Sequence, residues 1–449
     1  MNILKLKNSL TNEISLIELN PKKELKMYLC GPTVYDHVHI GNMRPSLIFD
    51  IIVRLLEKEK IPFKYIQNIT DIDDKIIKRA KNEGKSEENI SAYYKNSYLE
   101  NFKNLNLKMP TVFPTVTSSI KDIINLIENL VKNDNAYILK DNVLFNIEKN
   151  LNEYGKLSKQ NLKNLSWEEG RKINKTEKKN EKDFVLWKKT EEGINWETSW
   201  FKGRPGWHTE CTTLIEKFFL KKTIDIHAGG KDLIFPHHEN ERIQFLALNK
   251  KELSKVWIHF GHVTMKNEKM SKSLGNFLSA KDFIEKYGPN TLRYLILNSK
   301  YKEDIEIDES IIKQSTSQIR KIENVLKKVN LFLHLNNLKN KSIENHERKE
   351  EILDSILNNL ETTKTLFILE ETITFINKEI DKKIKNKEIL NKKINDLFLI
   401  IDLMGFNFNL KEYDQEIIEK IENWKNMIEK KEFKKADEIR NFLQEKEII

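Results

Sequence analysis

The sequence predicts an α/β protein organised on a parallel sheet, followed by an all-helical C-terminal region. Three observations carry that prediction. Between about 25 and 69 an apolar strand pattern, a Gly/Pro turn, an amphipathic helix and a second strand follow one another, which is how a parallel α/β sheet begins. Strand-like pattern resumes at Ile224–His227 and Val256–Val263. From about 308 onward strand signals stop, and apolar residues recur at helical spacing.

Taken in order, Leu25–Cys30 reads as a buried strand running into a turn at Gly31 and Pro32. After His39-Ile40-Gly41-Asn42, the stretch Pro45–Lys58 is helical, with Leu47, Ile48, Ile51, Ile52 and Leu55 on one face. Pro62–Ile69 is the second strand, and 75–105 and 118–132 are helical. The segment 135–200 differs. It holds short strands at Ala136–Leu139 and Val143–Asn146 and a very polar stretch, Glu169–Lys182, and reads as an insertion with a mobile surface loop. Beyond 308, Ile311, Ile312, Ile319, Ile322, Leu326, Val329 and Leu333 keep helical spacing. Asn336–Glu350 is a polar linker, Ile352–Ile376 and Ile389–Leu403 are further amphipathic helices, and 414–449 is a lysine-rich helical piece.

Composition narrows the class. A chain of 449 residues is too long for one core and suggests several domains. Lys+Arg exceeds Asp+Glu, 77 to 68, a balance that suits a polyanionic partner. Two cysteines cannot build a disulfide framework, so a reducing compartment, the cytoplasm, is expected, with thiols kept for chemistry or metal. The N-terminus lacks the apolar stretch of a signal peptide, and no apolar run reaches membrane-spanning length, so no membrane partner is expected.

Three constellations carry chemistry. Both cysteines sit in runs of special residues: Cys30 in M-Y-L-C-G-P-T-V-Y-D-H-V-H-I-G-N and Cys211 in G-R-P-G-W-H-T-E-C. Downstream, F-P-H-H-E-N-E places His237 and Glu241 four residues apart, on one face if helical. Two thiols, an imidazole and a carboxylate make a zinc set. His238 competes, but its i+4 partner is Arg242, which favours His237 with Glu241. The second constellation is His39–Asn42, where a strand turns into a helix whose N-terminal N–H groups suit a phosphate; Gly41 admits a ligand close to the backbone. The third is Lys269-Met270-Ser271-Lys272-Ser273, whose two lysines could clamp a triphosphate as charge moves to the leaving group. Thr70 and Asp71, at a strand end, are expected to face a polar ligand, and Trp207 to wall a small pocket.

Taken together, C-G-P-T-V-Y-D-H-V-H-I-G-N, N-I-T-D-I-D-D-K-I-I, Y-G-K-L-S, D-F-V-L-W-K, G-R-P-G-W-H-T-E-C, H-A-G-G-K-D-L-I-F-P-H-H-E-N-E and K-M-S-K-S-L-G-N-F resemble the cysteinyl-tRNA synthetases, a family of class I aminoacyl-tRNA synthetases. The resemblance implies a Rossmann-type catalytic domain in two halves (1–134 and 201–307) around a connective insertion (135–200). It also implies a helical stem-contact and bundle domain (308–403) and a small anticodon-binding domain (404–449). It implies one zinc ion held by Cys30, Cys211, His237 and Glu241, and ATP, used with Mg²⁺, contacted by Gly31, Thr33, His39, Gly41, Asn42 and Lys272. Thr70 and Trp207 would help hold the amino acid, and His39, Asn42, Lys269 and Lys272 would carry the catalysis. Three departures stand out. Asn42 replaces the histidine that ends the class signature, Phe113–Thr117 lacks the arginine of the family's E-P-R-A-T run, and N-N-L-E-T-T (358–363) stands for D-D-F-N-T-P.

The implied reaction activates L-cysteine as an adenylate and transfers it to the 3′ end of tRNA(Cys), by a chain expected to act as a monomer. Cysteine and serine differ by one atom, and an apolar pocket resolves so small a change by only about 1–3 kcal/mol. Zinc prefers thiolate to hydroxyl, which gives selectivity without an editing domain. Two alternatives share the motifs: a ligase joining cysteine to a small amine, which would have no use for a long basic helical tail at 308–449, and a non-catalytic zinc- and RNA-binding paralogue, which would have no use for an intact Lys269–Ser273 clamp.

Overall fold

In a computed structural model the chain opens with an antiparallel hairpin, β1 (Asn2–Lys7) and β2 (Ile14–Leu19), which the sequence pattern does not announce. The structure describes residues 2–160, 178–265, 268–269, 278–336, 345–380, 382, 386–410, 413 and 415–445. Strand β3 (Leu25–Leu29) leads to α1 (Ile40–Lys58) and β4 (Phe63–Gln67), the expected strand–helix–strand unit. Leu47, Ile48, Ile51, Ile52 and Leu55 are all fully buried along α1. The helical stretch beyond 74 is two helices, α2 (Asp74–Glu83) and α3 (Glu87–Asn104), followed by α4 (Ile120–Lys132). Gly84 ends α2 in the left-handed region, at φ 62°, and the Ser86 hydroxyl caps α3 by accepting from the Asn89 N–H.

Strands β5 (Ala136–Leu139), β6 (Asn142–Phe145), β7 (Val185–Lys189) and β8 (Gly203–Pro205) form an antiparallel sheet in that order. Of the polar stretch expected to be mobile, 169–177 lies outside the described residues. The rest forms a turn held by Asp183, which accepts from the Asn180 N–H at 3.0 Å. Helix α5 (Trp207–Phe219), β9 (Ile224–Gly230), α6 (Glu239–Asn249) and β10 (Ser254–Phe260) complete the central layer. Next come β11 (Val263–Met265), β12 (Glu268–Lys269), α7 (Ala280–Tyr287), α8 (Pro289–Leu297) and β13 (Ile305–Glu306), with β11 pairing both β12 and β13.

The central sheet is parallel throughout, in the order β10–β9–β3–β4. Strands β3 and β9 lie side by side, with Met27, Tyr28 and Leu29 opposite Ile226, His227 and Ala228. One crossover leaves this pair through α1 and the other through α6. Their diverging connections open a crevice at the carboxyl ends of β3 and β9, where open α/β sheets bind ligands.

Beyond β13 the described residues hold only helices: α9 (Glu309–Leu335), α10 (Lys349–Leu357), α11 (Thr362–Glu379), α12 (Lys387–Leu403), α13 (Gln415–Glu429) and α14 (Phe433–Glu445). The single helix expected over 352–376 is broken at 358–361. Asn359 and Leu360 take left-handed backbone, with φ 62° and 54°. The break serves the hairpin: the Asn359 side chain accepts from the Lys7 N–H, and its own N–H donates to the Lys5 carbonyl, both at 2.9 Å. The last helix pair has its own apolar cluster, Tyr413, Ile421 and Leu443, packed on Leu331 and Leu335 of α9. The expectation of a basic tail is corrected by counting: 308–449 carries 26 Lys+Arg against 27 Asp+Glu, and 1–307 carries 51 against 41. The positive excess therefore belongs to the sheet-bearing part of the chain.

A buried ionic cluster joins the two parts. Asp50 of α1 accepts from Arg293 of α8 at 2.5 Å and from Arg54 at 2.7 Å, and all three side chains are buried. Arg293 also donates to the carbonyls of Met404 and Leu105, and Arg54 to that of Asp402. Gly405 takes φ +68°, and a Cβ there would stand 1.9 Å from the Arg293 guanidinium, so the turn after α12 requires glycine. Removing one partner of such a cluster strands the others' charge out of water. Asp50→Ala is therefore expected to lower stability by about 3–5 kcal/mol, read as a reduced urea unfolding midpoint.

Candidate active site and metal centre

Four side chains from distant parts of the chain meet at the carboxyl ends of β3 and β9. Cys30 follows β3 directly, its N–H donating to the Ala228 carbonyl of β9 at 3.0 Å. Cys211 comes from the second turn of α5. His237 lies in a wide helical turn, Ile234–His238, and Glu241 in the first turn of α6. All four are buried, and their donor atoms lie within 4.8 Å of one another. Cys30 Sγ is 3.7 Å from Cys211 Sγ, 3.7 Å from His237 Nε2 and 3.5 Å from Glu241 Oε1, and Cys211 Sγ is 3.6 Å from His237 Nε2.

These edges test a metal. A tetrahedron with metal–sulfur bonds of about 2.3 Å has sulfur–sulfur edges of about 3.7 Å and sulfur–nitrogen edges of about 3.5 Å. The donor chemistry and the four edges fit zinc. The His237–Glu241 edge is shorter, 2.7 Å, because there the two side chains make a charged hydrogen bond. Burial opposes charge on His237, but Glu241 and Cys211 outweigh it and bring its pKa up to about 10. Burial also pushes the Cys211 thiol up. Hydrogen bonds with Cys30 and His237 overcome that and bring it down to about 6. Burial and Cys211 hold the Cys30 thiol well above the usual range. Glu241 is held well below the carboxylate range: His237 and His227 outweigh its burial.

Around the four lies a belt of histidines that the sequence reading does not assign. His227 of β9 sets Nε2 2.6 Å from Glu241 Oε2. His208 of α5 sets Nδ1 3.2 Å from His237 Nδ1, a contact that can hold the ring with Nε2 turned to the basin. His238, set aside because its i+4 partner is Arg242, places Nε2 3.3 Å from Cys30 Sγ, on a side of the sulfur that helical spacing does not reveal. The available sequence signal for His227 is its place in the strand pattern I-D-I-H-A-G-G.

Trp207 opens α5 and lies over this centre. Its ring stacks on His237 at 4.3 Å with 24° between the planes, and it is partly exposed. Thr70 is buried: its backbone bridges Thr33, and its hydroxyl donates to Glu210 of α5 at 3.0 Å. Asp71, half-buried, is held to its own chain. Its carboxylate accepts from the Thr117 N–H at 3.0 Å and from the Thr117 hydroxyl, so it ties down the Phe113–Thr117 run.

The stretch that follows the lysine motif meets the first phosphate-type motif. His39 caps α1 in a reciprocal box: its Nδ1 accepts from the Asn42 N–H at 3.2 Å, and the Asn42 side chain accepts from the His39 N–H at 3.1 Å. That leaves Nε2 as the N–H of the ring. A Cβ on Gly41 would sit 3.0 Å from this imidazole, so glycine leaves the ring its place at the helix entrance. His39 also bridges Ser279, and the Ile40 N–H donates to the Leu278 carbonyl at 3.1 Å, so residues 278–279, which follow the lysine motif, are anchored at the His39 turn. Strand β12 ends at Lys269, the first residue of that motif. Lys272 lies outside the described residues, and for Lys269 only the backbone is described.

This parallel sheet with a ligand crevice at its switch point and a helix-capping His-x-Gly turn defines a class I aminoacyl-tRNA synthetase. A family model of class I (C) tRNA synthetase catalytic domains matches residues 16–317. A cysteine–tRNA ligase of Mesoplasma florum is 41% identical over 99% of this chain and 100% of its own, and one of Mycoplasma mycoides subsp. mycoides is 43% identical over 95% and 97%. The fold is shared with methionyl-tRNA synthetase of Mycobacterium tuberculosis, at TM-score 0.62 and 13% identity, covering 85% of this chain and 89% of that one. The chain belongs to the cysteine–tRNA ligase family.

One residue of the crevice gives a direct test of its packing. A Cβ on Gly31 would lie 1.7 Å from the Asn68 carbonyl oxygen, which is backbone and cannot swing away. Gly31→Ala is expected to cost about 1–3 kcal/mol, measured as a lower thermal midpoint.

Proposed function

We propose that the chain charges tRNA(Cys) with L-cysteine in two steps. The amino-acid carboxylate attacks the α-phosphorus of ATP and pyrophosphate leaves. A ribose hydroxyl at the tRNA 3′ end then attacks the activated carbonyl. The observation that carries the cysteine assignment is the buried set Cys30, Cys211, His237 and Glu241, whose spacing fits a tetrahedral zinc ion. When bound, zinc supplies a soft Lewis acid that prefers sulfur to oxygen and lowers the pKa of a thiol.

The side chains supply the rest. Cys30, Cys211, His237 and Glu241 place the sulfur-binding position at the floor of the crevice, and Trp207 covers it by stacking on His237. Thr70 borders the amino-acid space with Glu210. His39, fixed by Asn42, directs its Nε2–H toward the phosphates, and the first N–H groups of α1 face the same place. Gly31, Thr33 and Gly41 let the nucleotide lie against backbone. Lys269 and Lys272, with Mg²⁺, offset the charge that develops on the leaving pyrophosphate. No covalent intermediate with the enzyme is needed, so catalysis is positioning plus charge stabilisation. The basic surface of 1–307 is the part suited to the tRNA backbone. Within the helical region, 308–403 is assigned to stem contact and 404–449 to the anticodon.

Cysteine-dependent exchange of pyrophosphate into ATP, followed by transfer to tRNA and with serine as control, tests the reading as a whole. Exchange without transfer points to a small-amine acceptor. Cys30→Ser is expected to lose bound zinc and to raise the cysteine KM about 100-fold. A variant that keeps both the metal and the KM overturns this coordination of zinc. Asn42→Ala is expected to free the His39 ring and raise the ATP KM about tenfold, with the cysteine KM unchanged, in the same exchange assay.

A further inference from the structure

We infer that an aromatic platform beside the His39 turn, Tyr93 braced by His37 and Tyr94, stacks the last unpaired nucleobase of the tRNA 3′ end. This rests on the two-step reading above and adds a seat for the acceptor end. His37 stands between β3 and α1, two residues before His39, and Tyr93 and Tyr94 come from α3. The ring centroids form a triangle: His37 lies 5.9 Å from Tyr93 and 5.1 Å from Tyr94, and the two tyrosines are 5.0 Å apart, each pair edge to face. In such a triangle His37 and Tyr94 lie on one side of Tyr93. Tyr94 is buried, whereas Tyr93 is 59% exposed. A ring braced from one side and bare on the other is what base stacking requires.

The brace is fixed by hydrogen bonds. His37 Nδ1 lies 2.8 Å from the Ser97 hydroxyl, and the His37 backbone N–H donates to the Asp36 carboxylate at 2.8 Å. The Tyr94 hydroxyl accepts from Arg79 at 2.7 Å, and the Arg79 guanidinium sits 5.4 Å from the centre of the Tyr94 ring. Arg79 also pairs with Asp36 at 3.0 Å and with Glu83, so a cation matches these two carboxylates beside the platform. Lys75, one helical turn before Arg79 on α2, is exposed and holds its ammonium 5.2 Å from the centre of the Tyr35 ring. Asn89 and Asn96 are exposed at i−4 and i+3 from Tyr93, on one face of α3, and offer amide groups to a base edge. An open ring with a lysine and neutral amides alongside suits an unpaired nucleotide, because every base has a π face and its phosphate meets the cation. RNA is the occupant favoured here. The chain belongs to the cysteine–tRNA ligase family, the platform borders the turn assigned to ATP, and 1–307 carries the excess of positive charge.

The test compares full-length wild type, Tyr93→Ala and Tyr93→Phe in two assays. One is the cysteine-dependent exchange of pyrophosphate into ATP, which needs no tRNA. The other is loading of tRNA(Cys), with a parallel binding titration of tRNA(Cys) carrying 2-aminopurine as its 3′-terminal base, whose fluorescence falls when it stacks. Tyr93→Ala is expected to leave exchange and its ATP KM unchanged, to raise the tRNA KM about tenfold and to lose the quench, and Tyr93→Phe to restore both. Tyr93→Leu, which keeps apolar bulk without a π face, repeats the comparison if the alanine variant does not fold. An unchanged tRNA KM with the quench retained overturns the platform and leaves the two-step reading standing. A raised tRNA KM with the quench intact shows that the ring holds some other part of the RNA, and overturns the assignment to the terminal base. A raised ATP KM in the exchange assay shows that the ring serves ATP or packs the His39 turn, and also overturns it. A wild type that makes adenylate but loads no tRNA fails the two-step reading itself, and the platform falls with it.

Discussion

The parallel pairing of β3 with β9 is the contact on which the rest of this protein depends. It joins a strand from the first part of the chain to one nearly 200 residues later, and it sets Cys30 beside the strand that carries His227. Parallel strands need long crossover connections. Here one crossover runs through α1, whose N-terminus carries His39 and Asn42, and the other through α6, whose first turn carries Glu241. The His39–Asn42 turn and the buried Cys/His/Glu set are therefore placed by the same two strands. Displacing β3 relative to β9 would separate the two cysteines and the two halves of the crevice together.

The crevice concentrates titratable side chains where water is excluded. Two thiols, a carboxylate and several imidazoles share a space with almost no exposure. Within it the protonation states diverge. His237 holds its proton against burial because Glu241 and Cys211 face it, and burial, followed by His227, takes His259 down to about 3. Neighbouring groups of one chemical type are thus held in opposite states by what faces them. The same arrangement makes an accidental role in packing alone a poor explanation, because an apolar set would be cheaper to bury.

A second buried charge cluster does mechanical work. Asp50, Arg54 and Arg293 connect the helix that carries the His39 turn to the turn that ends α12. The hairpin β1–β2 adds another tie through Asn359. Both contacts reach across more than 200 residues, and both use polar atoms with directional demands. Both fix the helical region to the sheet-bearing part of the chain. Its near-neutral charge leaves attraction of a polyanion mainly to residues 1–307.

Local pattern made much of this legible. The buried face of α1, the strands at 25–29 and 224–230 and the helices beyond 308 follow from periodicity, which side chains impose over a few neighbouring residues. The donors Cys30, Cys211, His237 and Glu241 stand out because thiols are scarce in this chain and because i,i+4 spacing is a one-helix property. The hairpin, the break at 358–361, the role of Asp71 and the histidine belt are not legible in that way. Asn359 leaves helical backbone because of a hydrogen bond to β1, and His238 faces Cys30 because a strand more than 200 residues away ends there. The sequence by itself determined the kinds of element and the chemistry of the donors, since both are written in short-range spacing. Which side of the sulfur each histidine meets, and which oxygen of Glu241 faces which partner, was decided only when strands distant in sequence paired, because direction across a sheet is a property of the pairing and of no single segment.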